Sequence, residues 1–221
     1  MAAEARPLPI LGFGAGGHAK SLLEAVRSAG TFAPVALLDE DSGRAGSEML
    51  GVPVLSEEGA LERFLKDGVA HAFVGVGGTR DRAPRRRVFE LLLGAGFELP
   101  PIVHAAAVVS PSARLGRGVQ VLAAAVVNAD AEIGDGAIVN TGAVVEHDCR
   151  IGAHAHTAPR AVLAGGVTIG TEAHIGIGAV VIEGVRVGTS AFVAAGAVVV
   201  NDVEKGVRVA GVPARELAAT G

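Results

Sequence analysis

The chain has 221 residues, half of them hydrophobic and 19% charged, a composition that builds a core and excludes a disordered chain. Residues 1–104 carry 11 basic and 13 acidic side chains and residues 105–221 carry 8 and 10, so neither half offers a basic surface for nucleic acid or an anionic membrane. A single cysteine excludes an internal disulfide, and no apolar run reaches the ~18 residues of a membrane span, so a soluble cytoplasmic protein is expected.

In chain order, Leu8 to Phe13 reads as a buried strand. The glycine-rich run Gly12-Phe13-Gly14-Ala15-Gly16-Gly17-His18 follows and opens a helical pattern that ends at Gly30. Val35 to Leu38 is a second strand, running into Asp39. Glu57 to Lys66 reads as helix, Ala72 to Val76 as strand, and Ala83 to Leu93 as a helix ending near Gly94. The basic run Arg85-Arg86-Arg87 reads as a solvated face of that helix. Alternation of strand and helix predicts a parallel sheet with helical crossovers. Gly12, Gly14 and Gly17 satisfy G-x-G-x-x-G between a strand and a helix, with Asp39 following at the end of the next strand. The pattern suits a phosphate ligand: glycines let the backbone approach, and the helix start offers free N–H groups. The Asp can accept from a ribose hydroxyl or a base N–H. About 100 residues hold roughly one mononucleotide half, so a nucleoside diphosphate fits better than NAD.

The second half is a repeat. From Val109 to Val199 every sixth residue is aliphatic at fifteen of sixteen positions, with Thr157 the exception, and the residue four places after each is small. Glycine often follows the aliphatic position, as at Gly116, Gly134, Gly152 and Gly170. A period of six excludes a helix, and is the signature of a parallel β-helix. Three hexads close a triangular coil of 18 residues, giving a little over five coils without insertion and a prism roughly 25 Å long. Six of the seven Phe lie before residue 98, so the prism core is built of Val and Ala.

Together the half-Rossmann unit and the uninterrupted prism resemble the sugar O- and N-acyltransferases that include sialic acid O-acetyltransferases. The resemblance is strongest to the N-acetyltransferases of nucleotide-linked 4-amino-4,6-dideoxy sugars. It runs from about Pro9 to Glu216. It rests on Gly14 to His18, Leu38-Asp39, the stretch Asn140 to Cys149, and Gly211-Val212-Pro213-Ala214. It implies a left-handed β-helix, a homotrimer with acetyl-CoA bound between prisms, and no metal. The implied division is residues 1–104 for a nucleotide-sugar domain, 105–205 for the hexapeptide acetyltransferase domain and 206–221 for a C-terminal tail.

Acyl transfer to an amine needs a base, donors for the tetrahedral oxyanion, and a held CoA. Glu146-His147-Asp148 leaves the inward slots of the repeat, so the trio lies on the prism surface, where a carboxylate can raise the basicity of an imidazole. The resemblance makes His147 the base and Asp148 its support. It makes His156 a contact of the acetyl group and Gly165 an amide donor facing the thioester carbonyl. It places Ala195 and Gly196 along the pantetheine, with Pro213 in the tail over the adenine. It puts Gly14, Gly16, Gly17, His18 and Asp39 on the nucleotide sugar, with Gly77 and Arg82 beside them, although Gly78 and Thr79 stand where the family has an acid or amide pair. Cys149 fills a small inward slot, so direct transfer without an acyl-enzyme is expected. Two other readings share these residues: O-acetylation of a sialic-acid-like sugar, and a nucleotide-binding scaffold without activity. The spacing of His147, His154, His156 and His174 does not match the three converging histidines of prism metalloenzymes of the carbonic anhydrase type.

Overall fold

The computed structural model describes residues 6–56, 59–78 and 83–217. The chain divides into two compact units, Met1–Ala105 and Ala106–Gly221.

The first unit contains, in chain order, β1 (Leu8–Phe13), α1 (Gly17–Ala29), β2 (Phe32–Asp39), β3 (Glu48–Met49), β4 (Val52–Ser56), α2 (Ala60–Lys66), β5 (His71–Val74) and α3 (Ala83–Ala95). The sheet order is β3-β4-β2-β1-β5, parallel except for the β3–β4 hairpin. Ile10, Leu11 and Phe13 of β1 and Ala36, Leu37 and Leu38 of β2 are buried, as central strands covered on both faces must be. Helix α1 presents Ala19, Leu22, Leu23 and Val26 to the core at helical spacing, each Leu contributing about 1.5–3 kcal/mol by burial. It stops at Gly30, whose left-handed φ of 71° lets its N–H reach the Arg27 carbonyl.

Three features depart from the sequence reading. The β3–β4 hairpin was not expected, because β3 is only two residues long and Pro53 interrupts the Val52–Ser56 run. Of the expected helix from Glu57, residues 57 and 58 lie outside the described residues, and α2 begins at Ala60. Arg85 is not on a solvated face: it is 2% exposed, beneath the end of β5.

The second unit is a left-handed parallel β-helix of two-residue strands. Partners in adjacent coils are 18 residues apart, as in Val126↔Val144↔Val162. The aliphatic positions from Val121 to Val199 point inward and are nearly all inaccessible. The glycines serve two needs. At Gly152 a Cβ would strike the Thr171 amide of the next coil, so close rung contact requires glycine. At Gly166 a φ of 68° makes the corner, a left-handed position that glycine adopts at least cost.

The repeat ends earlier than its period implies. Val187 pairs with Val203 and Phe192 with Arg208, a spacing of 16 residues. Val203 therefore occupies a large inward slot, not the small one expected. The shorter corner is held by Asp202, which accepts from the Arg186 backbone N–H at 2.8 Å and from its Nε at 3.0 Å. The chain then turns back so that Arg215–Glu216 pairs antiparallel with Arg208–Ala210 and covers a sheet edge. Among the described residues, no helix is long and apolar enough to cross a membrane.

Candidate active site

His147 and Asp148 form the tip of a prism corner between the strands Val144–Val145 and Arg150–Ile151. Val145 and Ile151 turn inward and anchor the corner on both sides. Asp148 has a φ of 60°, a conformation that short polar side chains tolerate. The side chains of His147 and Asp148 project outward, 62% and 66% exposed. His147 Nδ1 lies 2.7 Å from Asp148 Oδ2. A carboxylate only accepts, so Nδ1 holds the proton and Nε2 presents its lone pair. The hydrogen bond to Asp148 raises the imidazole above its ordinary pKa of 6.5; desolvation opposes it in part, and the charges of Asp148 and Glu146 add to the rise.

One coil further, Gly165 lies beneath this imidazole. A Cβ there would sit 2.6 Å from His147 Cε1 and 2.7 Å from Nε2. The Gly165 N–H has no hydrogen-bond partner among the described residues, while the neighbouring Gly166 N–H donates to the His147 carbonyl at 2.9 Å. A basic nitrogen and an uncommitted amide donor thus share one corner. Cys149 is buried, its Sγ donates to the Ala164 carbonyl at 3.2 Å, and burial pushes its thiol pKa up, so it is a packing residue.

The other prism candidates lie elsewhere on the same unit. Ala195 and Gly196 make the corner before Val198–Val199, with the Gly196 N–H on the Ile177 carbonyl at 2.8 Å. Pro213 lies in the turn whose Ala214 N–H reaches the Val198 carbonyl at 2.7 Å. His156 lies on a flat face of the prism. It is 4% exposed on the strand His156–Thr157, a different face from the His147 corner. Its Nε2 is 3.0 Å from Asn140 Nδ2, and its ring meets His174 edge-on at 5.0 Å. Within one chain it does not join His147 and Gly165.

In the first unit, Gly14 turns the chain after β1. Its φ is 101° and a Cβ would lie 2.8 Å from Val76 Cγ2, so both conformation and space demand glycine. Gly12 is required by packing against Phe73 and Leu37. Gly16, with φ −88°, and Gly17 have open space where a Cβ would be. Neither backbone conformation nor packing demands glycine at these two positions, which leaves close approach of a ligand as the reason for it. No acidic side chain occupies the first turn of α1 and no side chain caps it, which favours an anion at that end. Gly77 lies beside His18, a Cβ on it reaching His18 Cβ at 3.5 Å.

Asp39, at the end of β2, is partly buried and bonded to backbone. Its Oδ2 accepts from the Ala15 N–H at 2.6 Å and its Oδ1 from the Asp41 N–H at 2.9 Å, so the carboxylate ties the glycine loop to the end of β2. Arg44 Nη1 holds the next peptide, donating to the Ala15 carbonyl at 2.6 Å. A cleft of about 340 Å³ opens between Ala15, Gly16, Gly17, Lys20 and Arg44. A second, of about 600 Å³, is lined by Asp39, Glu40, Ser56 and Glu62 among others.

Residues 10–92 match the PglD N-terminal domain, and residues 130–165 match the bacterial transferase hexapeptide (six repeats). No curated protein sequence gives a significant match. Among solved structures, PerB from Caulobacter crescentus in complex with CoA and GDP-perosamine is 43% identical, covering 95% of this chain and 97% of its own, with a TM-score of 0.88. The chain belongs to the hexapeptide sugar N-acetyltransferases. The acetyltransferase domain of PglB from Neisseria gonorrhoeae FA1090 in complex with acetyl coenzyme A is 38% identical over 96% of this chain and 100% of its own, with a TM-score of 0.87. WeeI from Acinetobacter baumannii AYE is 28% identical over 95% and 100%, with a TM-score of 0.83.

In this acetyl-CoA-dependent N-acetyltransferase, Arg82 lies outside the described residues. Sequence reasoning missed two other arginines, Arg44 and Arg85. Neither carries a local signal, since Arg44 meets Ala15 across 29 residues of sequence and Arg85 sits inside a run that reads as a surface. Among the described residues, no group of three His, Cys, Asp or Glu side chains is placed to hold a metal ion.

Proposed function

We propose that the chain transfers the acetyl group of acetyl-CoA to the amine of a nucleotide-linked 4-amino-4,6-dideoxy sugar, with His147 as general base. The observation that carries this reading is the corner where the His147–Asp148 pair stands over Gly165. The neutral amine attacks the thioester carbonyl, forming the C–N bond. The Gly165 N–H donates to the oxyanion. His147 Nε2 takes the proton released by the amine, while Asp148 keeps Nδ1 protonated and supports the imidazolium. Collapse breaks the C–S bond, and the proton goes to the departing thiolate to give CoA. No acyl-enzyme is needed, consistent with a buried Cys149.

The glycine loop, tied by Asp39 and Arg44, holds the nucleotide diphosphate in this reading. Similarity to an enzyme crystallised with GDP-perosamine supports a sugar of that class. The Ala195–Gly196 corner and the Pro213 turn hold CoA in the same reading.

The working form is a homotrimer. One prism face carries an outward column of valines from Val108 to Val198, of which Val108 is 62% and Val180 37% exposed. Such a stripe is stabilised by another copy. A second copy also offers a route to bring an Asn140–His156 face to the His147 corner.

The test is CoA release, followed with a thiol reagent, on mixing the protein and acetyl-CoA with GDP- and UDP-linked 4-amino-4,6-dideoxy sugars and with a sialic acid. Release with a nucleotide amino sugar is expected. Release only with the sialic acid would replace this reading by O-acetylation, and release with none would leave a binding scaffold.

A further inference from the structure

Arg85 is the third residue of α3, yet it is 2% exposed. A guanidinium is costly to bury, and here burial lowers its pKa to about 9, still far enough above neutrality to keep it charged. Two of its hydrogen bonds show what it does with that charge. Nη1 donates to the Val74 carbonyl at 3.2 Å and to the Val76 carbonyl at 2.8 Å. Val74 is the last residue of β5, and Val76 belongs to the loop that follows. The cation therefore straddles Gly75 and fixes the bend at the C-terminal end of the strand.

That bend is one wall of the glycine loop. The Gly75 N–H donates to the Phe13 carbonyl at 2.6 Å, and a Cβ on Gly75 would strike the Gly14 carbonyl. A Cβ on Gly14 would in turn lie 2.9 Å from the Val76 amide. Two residues on, Gly77 faces His18. Space between these two loops is so short that a small rotation of the Val74–Val76 peptides must move Gly14 and alter the start of α1.

We propose that Arg85 is a positioning residue for the nucleotide sugar: by bridging the Val74 and Val76 carbonyls it locks the loop after β5 against Gly14 and so holds the glycine loop in its binding shape. The inference rests on the reading that this loop binds the nucleotide sugar. Arg85 touches no substrate in this account. It acts through Gly75 and Gly14. Lysine retains charge, but its ammonium is a compact point donor at the end of a flexible stem and does not reproduce the planar fork.

The experiment compares Arg85→Lys and Arg85→Gln with the wild-type full-length enzyme by steady-state kinetics in both substrates, alongside thermal melts. Gly16→Val serves as a control that blocks the loop itself. The KM for nucleotide sugar should rise about tenfold in Arg85→Gln, the lower end of what losing a charge-assisted hydrogen bond costs, and by less in Arg85→Lys. The KM for acetyl-CoA and kcat should stay within about twofold, because the prism is untouched. Arg85→Lys should be the milder variant. If Gly16→Val raises the sugar KM while both Arg85 variants leave it unchanged, the positioning role is wrong and the loop reading stands. If Gly16→Val also leaves it unchanged, the loop reading is wrong. Loss of activity toward both substrates together with a collapsed melting transition would also overturn the proposal, since Arg85 would then serve the domain core alone.

Discussion

The two units make their sites in different ways. In the prism, position within the hexad fixes where a side chain points, so His147 and Asp148 can be placed on a corner from the repeat alone, and the neighbour beneath them is the residue 18 places on. In the α/β unit the candidate site is assembled by contacts that no period announces. Ala15 is held by Asp39 on one side and by Arg44 on the other, and the opposite wall is held by Arg85. In the proposed reading the prism presents its chemistry on a rigid lattice, whereas polar ties shape the loop of the first unit. The prism corner should respond to substitution in kcat, and the loop in KM.

The largest effect is expected at His147. His147→Ala should lower kcat by at least ~10²-fold, the usual size of a lost general base, with an unchanged melting temperature because the side chain is exposed. Turnover close to wild type would remove His147 from the chemistry.

Gly165→Ala comes next. The new Cβ must displace the imidazole, so kcat should fall by about ten- to a hundredfold, in line with the cost of ~1 Å misplacement of a reacting group. Both KM values should hold, and circular dichroism should show an intact fold, since Gly165 has no positive φ. Full activity in this variant would mean that the imidazole leaves the corner during catalysis.

A smaller effect is expected in the pH profile. The base acts in its neutral form, so kcat/KM should rise with pH and level off above the His147 pKa, which Asp148 holds above 6.5. Asp148→Asn removes the charge and the carboxylate acceptor, so the rising limb should move to lower pH while the plateau falls. The substrate amine titrates in the same assay, so the displacement between the two profiles is the diagnostic quantity. A limb that does not move would sever Asp148 from the base.

The smallest effect on activity is expected at Cys149. Cys149→Ala leaves a small cavity worth about 1 kcal/mol and should leave turnover per folded molecule unchanged. A large loss of kcat would revive a covalent intermediate.

The sequence was most legible where its period was strict. The period of the strands, the inward aliphatics and the surface trio 146–148 followed from the repeat, and the reading failed at Val203, where Asp202 shortens the last corner by two residues. His156, nine residues and so one and a half hexads from His147, lies on another face of the same prism. In the first unit β1 and the glycine turn were legible because a buried apolar run and a left-handed glycine leave local marks. Asp39 was found for a pattern that pointed to a nucleoside, while its observed bonds are to the backbone. Arg85 was hidden because burial of one residue in an arginine run depends on carbonyls at the end of a strand, which composition cannot reveal.

The most direct test of the contrast is a crossed binding measurement. Calorimetric titration of the wild type, Asp39→Asn and Ala195→Leu with CoA and with the nucleotide amino sugar separates the two units. Asp39→Asn should weaken the nucleotide sugar several-fold by loosening the backbone at Ala15, less than the roughly 10- to 150-fold that full loss of a charge-assisted hydrogen bond of about 1.5–3 kcal/mol would give, and should leave CoA within about twofold. Ala195→Leu should do the reverse. If Asp39→Asn weakens CoA and spares the sugar, or if both variants weaken both ligands alike, the division of labour between the glycine loop and the prism is wrong.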